Sequence, residues 1–220
     1  MTPGTAPRFV YNQGDHVCSL FLEPQDQLRA AVEYIKGGLE RGERCLYVCC
    51  EHPVEEFRAA LRAGGIDVEA EEASGALLIV TKEQGHLKTG CFDPDKMIEL
   101  LGVAVENALH DGFKGLCAAG DMNWVLDEAP GTERLAEYEA RLNRFYEASH
   151  ALGLCLYNLK TLPPKVLDHC LATHKFVRID GPVLLENPFY ELPDSAARRI
   201  ADTKALPSKL EWLRQVGRSA

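Results

Sequence analysis

The chain has 220 residues, 46% of them hydrophobic, and a formal net charge of −9. That is enough apolar chain for the core of one α/β domain, and the acidic balance excludes a general nucleic-acid binder because polyphosphate would be repelled. No apolar run approaches the roughly 18 residues that span a bilayer, and MTPGTAPRFVYNQ lacks the apolar centre of a signal peptide.

Residues 1–13 read as a flexible arm. Residues 17–22, VCSLFL, are strand-like, and 25–41 space Leu28, Ala31, Val32, Ile35 and Leu39 along one helical face. RCLYVCC at 44–50 predicts the second strand. EHPVEEFRAALRAGG at 51–65 predicts a helix with Pro53 near its first turn and glycines at its end. ALLIV at 76–80 is a third strand. A helix over 93–111 follows, with Asp93 as its cap and Pro94 just inside. Residues 113–120 predict strand four, 133–152 a long helix, and 154–159 strand five. PPKVLDHCLATH makes a short helix, after which FVRID and PVLLE are expected to pair antiparallel around Asp180-Gly181. Strands alternating with helices imply a mostly parallel sheet covered on both faces, with ligands at the carboxyl ends of the strands.

Residues 195–220 carry Arg198, Arg199, Lys204, Lys209, Arg214 and Arg218 against Asp202 and Glu211, a net of +4 that leaves the rest of the chain at −13. Within this basic tail, interrupted by Pro207, SKLEWLRQV is expected to form two turns of amphipathic helix, either docked on the domain or serving as a signalling connector. Of the eight cysteines several lie in strand-like runs, and no CxxC pair is present. Buried reduced thiols in a cytoplasmic protein are the expectation.

The junction between the first strand and helix reads LEPQDQL. It has neither the glycines that curl backbone N–H groups around phosphates nor the lysine that neutralises them, and Glu23 and Asp26 would repel a triphosphate. Neither ATP nor Mg²⁺ is therefore expected as a cofactor.

GDHVCSLF, GLERGERCLYV, GDMNW, LCLYN, LATH and NPFY occur in that order over residues 10–193. In these pieces the chain resembles the MEDS family of sensory domains, relatives of RecA/KaiC-type ATPases. The resemblance implies a RecA-like three-layer α/β fold, with a sensory domain over 14–194 and the basic tail or connector helix after it. It also implies a non-enzymatic cytoplasmic sensor of a small, hydrocarbon-like molecule. Its partner would be a histidine kinase, a transcription regulator or another signalling protein, with homodimerisation open and no direct contact with nucleic acid or membrane. A degenerate ATPase using His16, Cys18 and Glu51, or a metal- or redox-responsive thiol switch, are the alternatives.

The candidate ligand-binding residues follow from both readings. His16 and Cys18 fall at i and i+2 of a strand, so imidazole and thiol share a face and could also begin a metal site. Completing such a site would take donors from His52, His169, Cys170 or His174. Glu51 ends strand two, where KaiC-like ATPases keep an acid. Asp121 follows strand four as a polar contact, with Met122 and Trp124 as apolar wall. Tyr157 and Asn158 are expected to project toward the same crevice, and His174 stands at a helix end.

Overall fold

The computed structural model describes residues 11–219, so the first ten residues of the expected arm and the last residue of the tail lie outside the described residues. The described chain forms one seven-stranded sheet in the order β3-β2-β4-β5-β1-β6-β7. The strands are β1 (His16–Phe21), β2 (Arg44–Cys49), β3 (Leu77–Thr81), β4 (Leu116–Asp121), β5 (Ala151–Asn158), β6 (Phe176–Ile179) and β7 (Leu184–Glu186). β1 to β6 run parallel and β7 pairs antiparallel to β6, closing the hairpin at Asp180 with φ 48°.

Helices cover both faces. On one side α1 (Pro24–Arg41), α2 (Val54–Ala63) and the short α3 (Val68–Ala73) bury Tyr34, Ile35, Phe57, Leu61 and Val68 against β1, β2 and β4. The other face carries α4 (Pro94–His110), α5 (Leu135–Glu147), α6 (Pro164–Thr173) and α8 (Leu206–Ser219), with the single-turn α7 (Pro193–Ala196) beside α5 and α6. Asp93 caps α4 by accepting from the Asp95 N–H at 3.0 Å, with Pro94 at the first helical position as its sequence predicts.

Two differences matter for the site. The helix expected over 133–152 stops at Glu147, and β5 begins at Ala151 rather than 154. Gly153 explains the early strand: a Cβ there would meet the Tyr146 ring at 2.3 Å, so only glycine lets the end of α5 lie on β5. The tail helix is also longer than the two turns expected. Pro207 sits in its first turn, where no N–H partner is lost, and Leu206 and Leu213 are buried on the domain.

The tail is pinned at Asp168, a fully buried carboxylate on α6. Arg199 reaches it at 2.8 Å, Lys209 at 2.6 Å, and the Asp202 N–H donates to it at 2.7 Å. Burial alone would raise the Asp168 pKa, but Lys209, the Asp202 N–H and Arg199 together hold it below the ordinary value.

Candidate functional site

Side-chain alternation along β1 and β5 divides the expected residues between the two faces of the sheet. Asp121, fully buried, ends β4 and caps a 3-10 turn over Met122–Asp127 by accepting from the Asn123 N–H at 3.0 Å. Its second oxygen accepts from the Glu51 N–H at 2.5 Å. The Glu51 carboxylate accepts from Asn123 Nδ2 at 2.8 Å and from Asn158 Nδ2 at 2.9 Å. Asn158 Oδ1 accepts from the Lys160 N–H at 2.9 Å, and the Lys160 ammonium pairs with Glu23. The ends of β2, β4 and β5 and the β1–α1 connection are thus tied together by side chains.

This network is charged and largely buried. Burial raises the pKa of both Asp121 and Glu51; the neighbouring Asp121 charge adds to the rise at Glu51, and the amide donors oppose it. Gln27, fully buried near the start of α1, faces Asp121, yet neither end of its amide has a hydrogen-bond partner of ordinary length. Sequence reasoning missed Gln27 and Asn123. Asn123 was signalled by its place inside GDMNW, one residue beyond a position that was chosen.

On the opposite face a cavity of about 100 Å³ lies between β2, β4 and β5 and helices α4 and α5. Its wall is mostly apolar, with Met97, Leu101, Met122 and Tyr138 alongside His86 and Cys155. Met122 lines this cavity, on the other face from Asp121, with which it was expected to share a crevice. Trp124 stands one ring behind, stacked on His86 at a centroid distance of 4.8 Å and packed on Phe92 at 4.5 Å. His86 is buried, its Nδ1 lacks a hydrogen-bond partner, and burial pushes its pKa down to about 4.

Tyr157 does not join Asn158 in the strand-end crevice. Adjacent strand residues point to opposite faces, and the Tyr157 hydroxyl donates at 3.0 Å to Glu139 Oε1, on α5. Around Glu139 the remaining candidates gather. His16 Nε2 and His174 Nε2 each lie 3.3 Å from Glu139 Oε2. The thiol at His16 is Cys155, 3.5 Å from Nε2, rather than Cys18. Cys18 shares the His16 face, as the i, i+2 spacing predicts, but sits one step further along β1 with Cys170 and His174, whose donor atoms fall within 4.8 Å of its own. His16, Glu139, Cys155 and His174 form a second group within that limit, all four buried. Burial pushes both histidines down to about 3 and raises the Glu139 and Cys155 pKa values. His52 takes no part, lying between the Pro24 carbonyl and Glu56, and His169 is in neither group.

Glu139 and Cys155 were missed. The signal for Glu139 was its place on the buried stripe of α5, where Leu135, Tyr138, Leu142 and Tyr146 share a face with Glu139 and Asn143. A carboxylate four residues before an amide on an apolar face has a partner inside the protein.

Comparison with known proteins agrees with this architecture. A KaiC-like protein of Pyrococcus horikoshii OT3 superposes with a TM-score of 0.52 at 17% identity, over 76% of this chain and 71% of that one. The flagellar accessory protein FlaH of Methanocaldococcus jannaschii gives 0.56 at 16% identity, over 79% and 76%. The fold is RecA-like. In sequence, the transcriptional repressor DcmR of Methylorubrum extorquens is 22% identical over 162 residues, which is 73% of this chain and 58% of the repressor. The chain thus spans well under two thirds of that relative's length. The profile of MEDS, the methanogen/methylotroph, DcmR sensory domain, matches residues 15–175, more than two thirds of the sequence, and the chain belongs to the MEDS family.

Proposed function

We propose that this chain is a non-enzymatic sensory domain whose small, largely apolar ligand occupies the cavity between the sheet and α4–α5. The observation that carries the reading is the cavity with one unpartnered, buried imidazole nitrogen, His86 Nδ1, among apolar walls. Binding sites for small organic molecules combine apolar walls with a few orienting polar groups. At about 100 Å³ the space is smaller than the roughly 150 Å³ apolar cavity that admits benzene, so the guest has a few heavy atoms. A small alcohol or haloalkane fits that description, its polar atom meeting His86.

The strand ends support a loss of nucleotide chemistry. β1 stops at Phe21 and α1 starts at Pro24, while a phosphate loop needs about eight residues to wrap the anion. Glu51 already spends its carboxylate on two amide donors. Ligand occupancy would pass from Met122 and the 3-10 turn into the network of Asp121 and Glu51, and from α5 through α6 to the tail. The receiver is a regulatory protein in the cytoplasm, a transcription regulator by analogy with the repressor relative or a histidine kinase, and a second copy of the chain is a further candidate. A ligand shifts such an equilibrium only by its differential affinity for the two states.

Fluorescence titration of a Trp212→Phe background, in which Trp124 alone reports, tests this with a panel of small alcohols and haloalkanes. Saturable change is expected, abolished by filling the cavity with Leu101→Phe in a chain that keeps its circular dichroism. Absence of saturable binding across the panel, or ATP turnover that depends on Glu51, would overturn the proposal.

A further inference from the structure

The group His16, Glu139, Cys155 and His174 presents two imidazole nitrogens, a carboxylate oxygen and a sulfur to one point, and hydrogen bonding fixes what each presents. His174 Nδ1 lies 2.9 Å from the Cys170 carbonyl, which can only accept, so Nδ1 carries the proton and Nε2 is a lone pair. Asn143 Nδ2 donates to the Thr173 and Glu139 carbonyls at 2.7 and 3.1 Å, which turns its Oδ1 toward His16 Nδ1 at 3.3 Å. His16 Nδ1 is therefore also the donor, and its Nε2 is a second lone pair. Tyr157 occupies Glu139 Oε1, leaving Oε2 to face both imidazoles.

Three electron-rich atoms thus converge with a sulfur in a buried pocket. Among the described residues no Lys or Arg pairs with Glu139, and His174 Nε2 has no hydrogen-bond partner. With Glu139 ionised, such an arrangement is repulsive unless a cation stands in the middle.

We propose that His16 Nε2, Glu139 Oε2, Cys155 Sγ and His174 Nε2 are the ligands of a tetrahedral site for a divalent metal ion of the zinc class. Zinc holds N and O donors at about 2.0–2.1 Å and sulfur at about 2.3 Å, so a tetrahedron has N···O edges of about 3.3–3.4 Å and S···N or S···O edges of about 3.5–3.6 Å. The corresponding separations are 3.3 and 3.3 Å for the two imidazole–carboxylate edges, 3.5 Å for Cys155–His16 and 3.7 Å for Cys155–Glu139. Ordinary charge-assisted hydrogen bonds would be shorter, at about 2.7–2.9 Å.

Charge agrees with geometry. A dication with one carboxylate and one thiolate sums to zero, the condition under which a fully buried centre is tolerable. The outer partners agree as well: a backbone carbonyl, an amide and a phenol each hold the far atom of a ligand, as metal-bound His and carboxylate require. Four protein donors leave no open position, so the site is structural or sensory rather than catalytic. A bare protein would instead need one proton on Glu139 and one on Cys155 to quiet the same group.

The test uses the full chain, reduced and stripped with a chelator, then titrated with Co²⁺ alone. One ion per chain is expected, with visible bands of tetrahedral intensity and a near-ultraviolet thiolate-to-cobalt band, both abolished by added Zn²⁺. Zn²⁺ alone should raise the melting temperature. Cys155→Ser should remove the thiolate band and weaken binding by about a hundredfold or more, whereas Cys50→Ser leaves both unchanged. Should Cys155→Ser misfold, His16→Gln gives the affinity reading. Folded wild-type protein with neither a cobalt spectrum nor a zinc-dependent rise in melting temperature overturns the proposal. So does a thiolate band that survives in Cys155→Ser and vanishes in Cys18→Ser, which would move the ion to the Cys18–Cys170 pair.

Discussion

His86 is a base held where a proton is unwelcome: buried, stacked on Trp124, with no acidic partner among the described residues. Its folded pKa near 4 lies below the unfolded value of 6.5, so the unfolded chain takes up the proton first as pH falls. The neutral ring's contribution is fully present above pH 6.5 and is lost progressively down to pH 4. Relative to His86→Phe, the wild type should lose about 3 kcal/mol of stability between pH 7 and pH 4, read from urea midpoints across that range. Nothing in the sequence separates His86 from a surface histidine, because the Gln84-Gly85-His86 stretch has the composition of a loop. Asp121 was legible, since an acid just past a buried strand in this fold class faces the crevice. Glu139 was hidden by its type: on an amphipathic helix a glutamate reads as solvent-facing until its neighbours on the stripe are counted.

Helices and strands were legible wherever apolar period and end chemistry coincided, as at Asp93-Pro94 and at the hairpin about Asp180-Gly181. They were not where packing overrides the local signal. Gly153 reads as a weak point in a strand, and its reason is the Tyr146 ring above it. The same logic distinguishes two neighbours on α1. A Cβ on Gly38 would stand 2.7 Å from Cys45 Sγ and 2.6 Å from Cys117 Sγ, so this turn of α1 rests directly on β2 and β4. Gly37, one residue earlier, meets only the flexible end of Arg41. Gly38→Ala should therefore destabilise by about 1–3 kcal/mol through overpacking, whereas Gly37→Ala should stabilise by about 0.5–1 kcal/mol through helix propensity. Opposite shifts in melting temperature from adjacent glycines check the seating of α1.

At the scale of the molecule the sheet order could not be read from periodicity, because crossovers are long-range choices. It is this order that brings the ends of β2, β4 and β5 together and places His16 on β1 beside Cys155 on β5. The tail was read as docked or connecting without its anchor being visible. Asp168 looked like an ordinary acid of a short helix, yet it gathers Arg199, Asp202 and Lys209. Asp168→Ala leaves partly buried Lys209 without its carboxylate and Arg199 with Glu191 alone, and should cost about 2–4 kcal/mol. Limited proteolysis should then cut within 197–219 while the sheet domain survives, whereas wild type resists cleavage there.

Cys155 belongs to two neighbourhoods at once: it borders the apolar cavity and it stands within reach of His16 and Glu139. A guest and an ion would meet at the same sulfur, so whatever factor one applies to the other's affinity must be returned in full. A domain wired in this way would report a coincidence, its answer to a small molecule conditional on the metal supply of the cell.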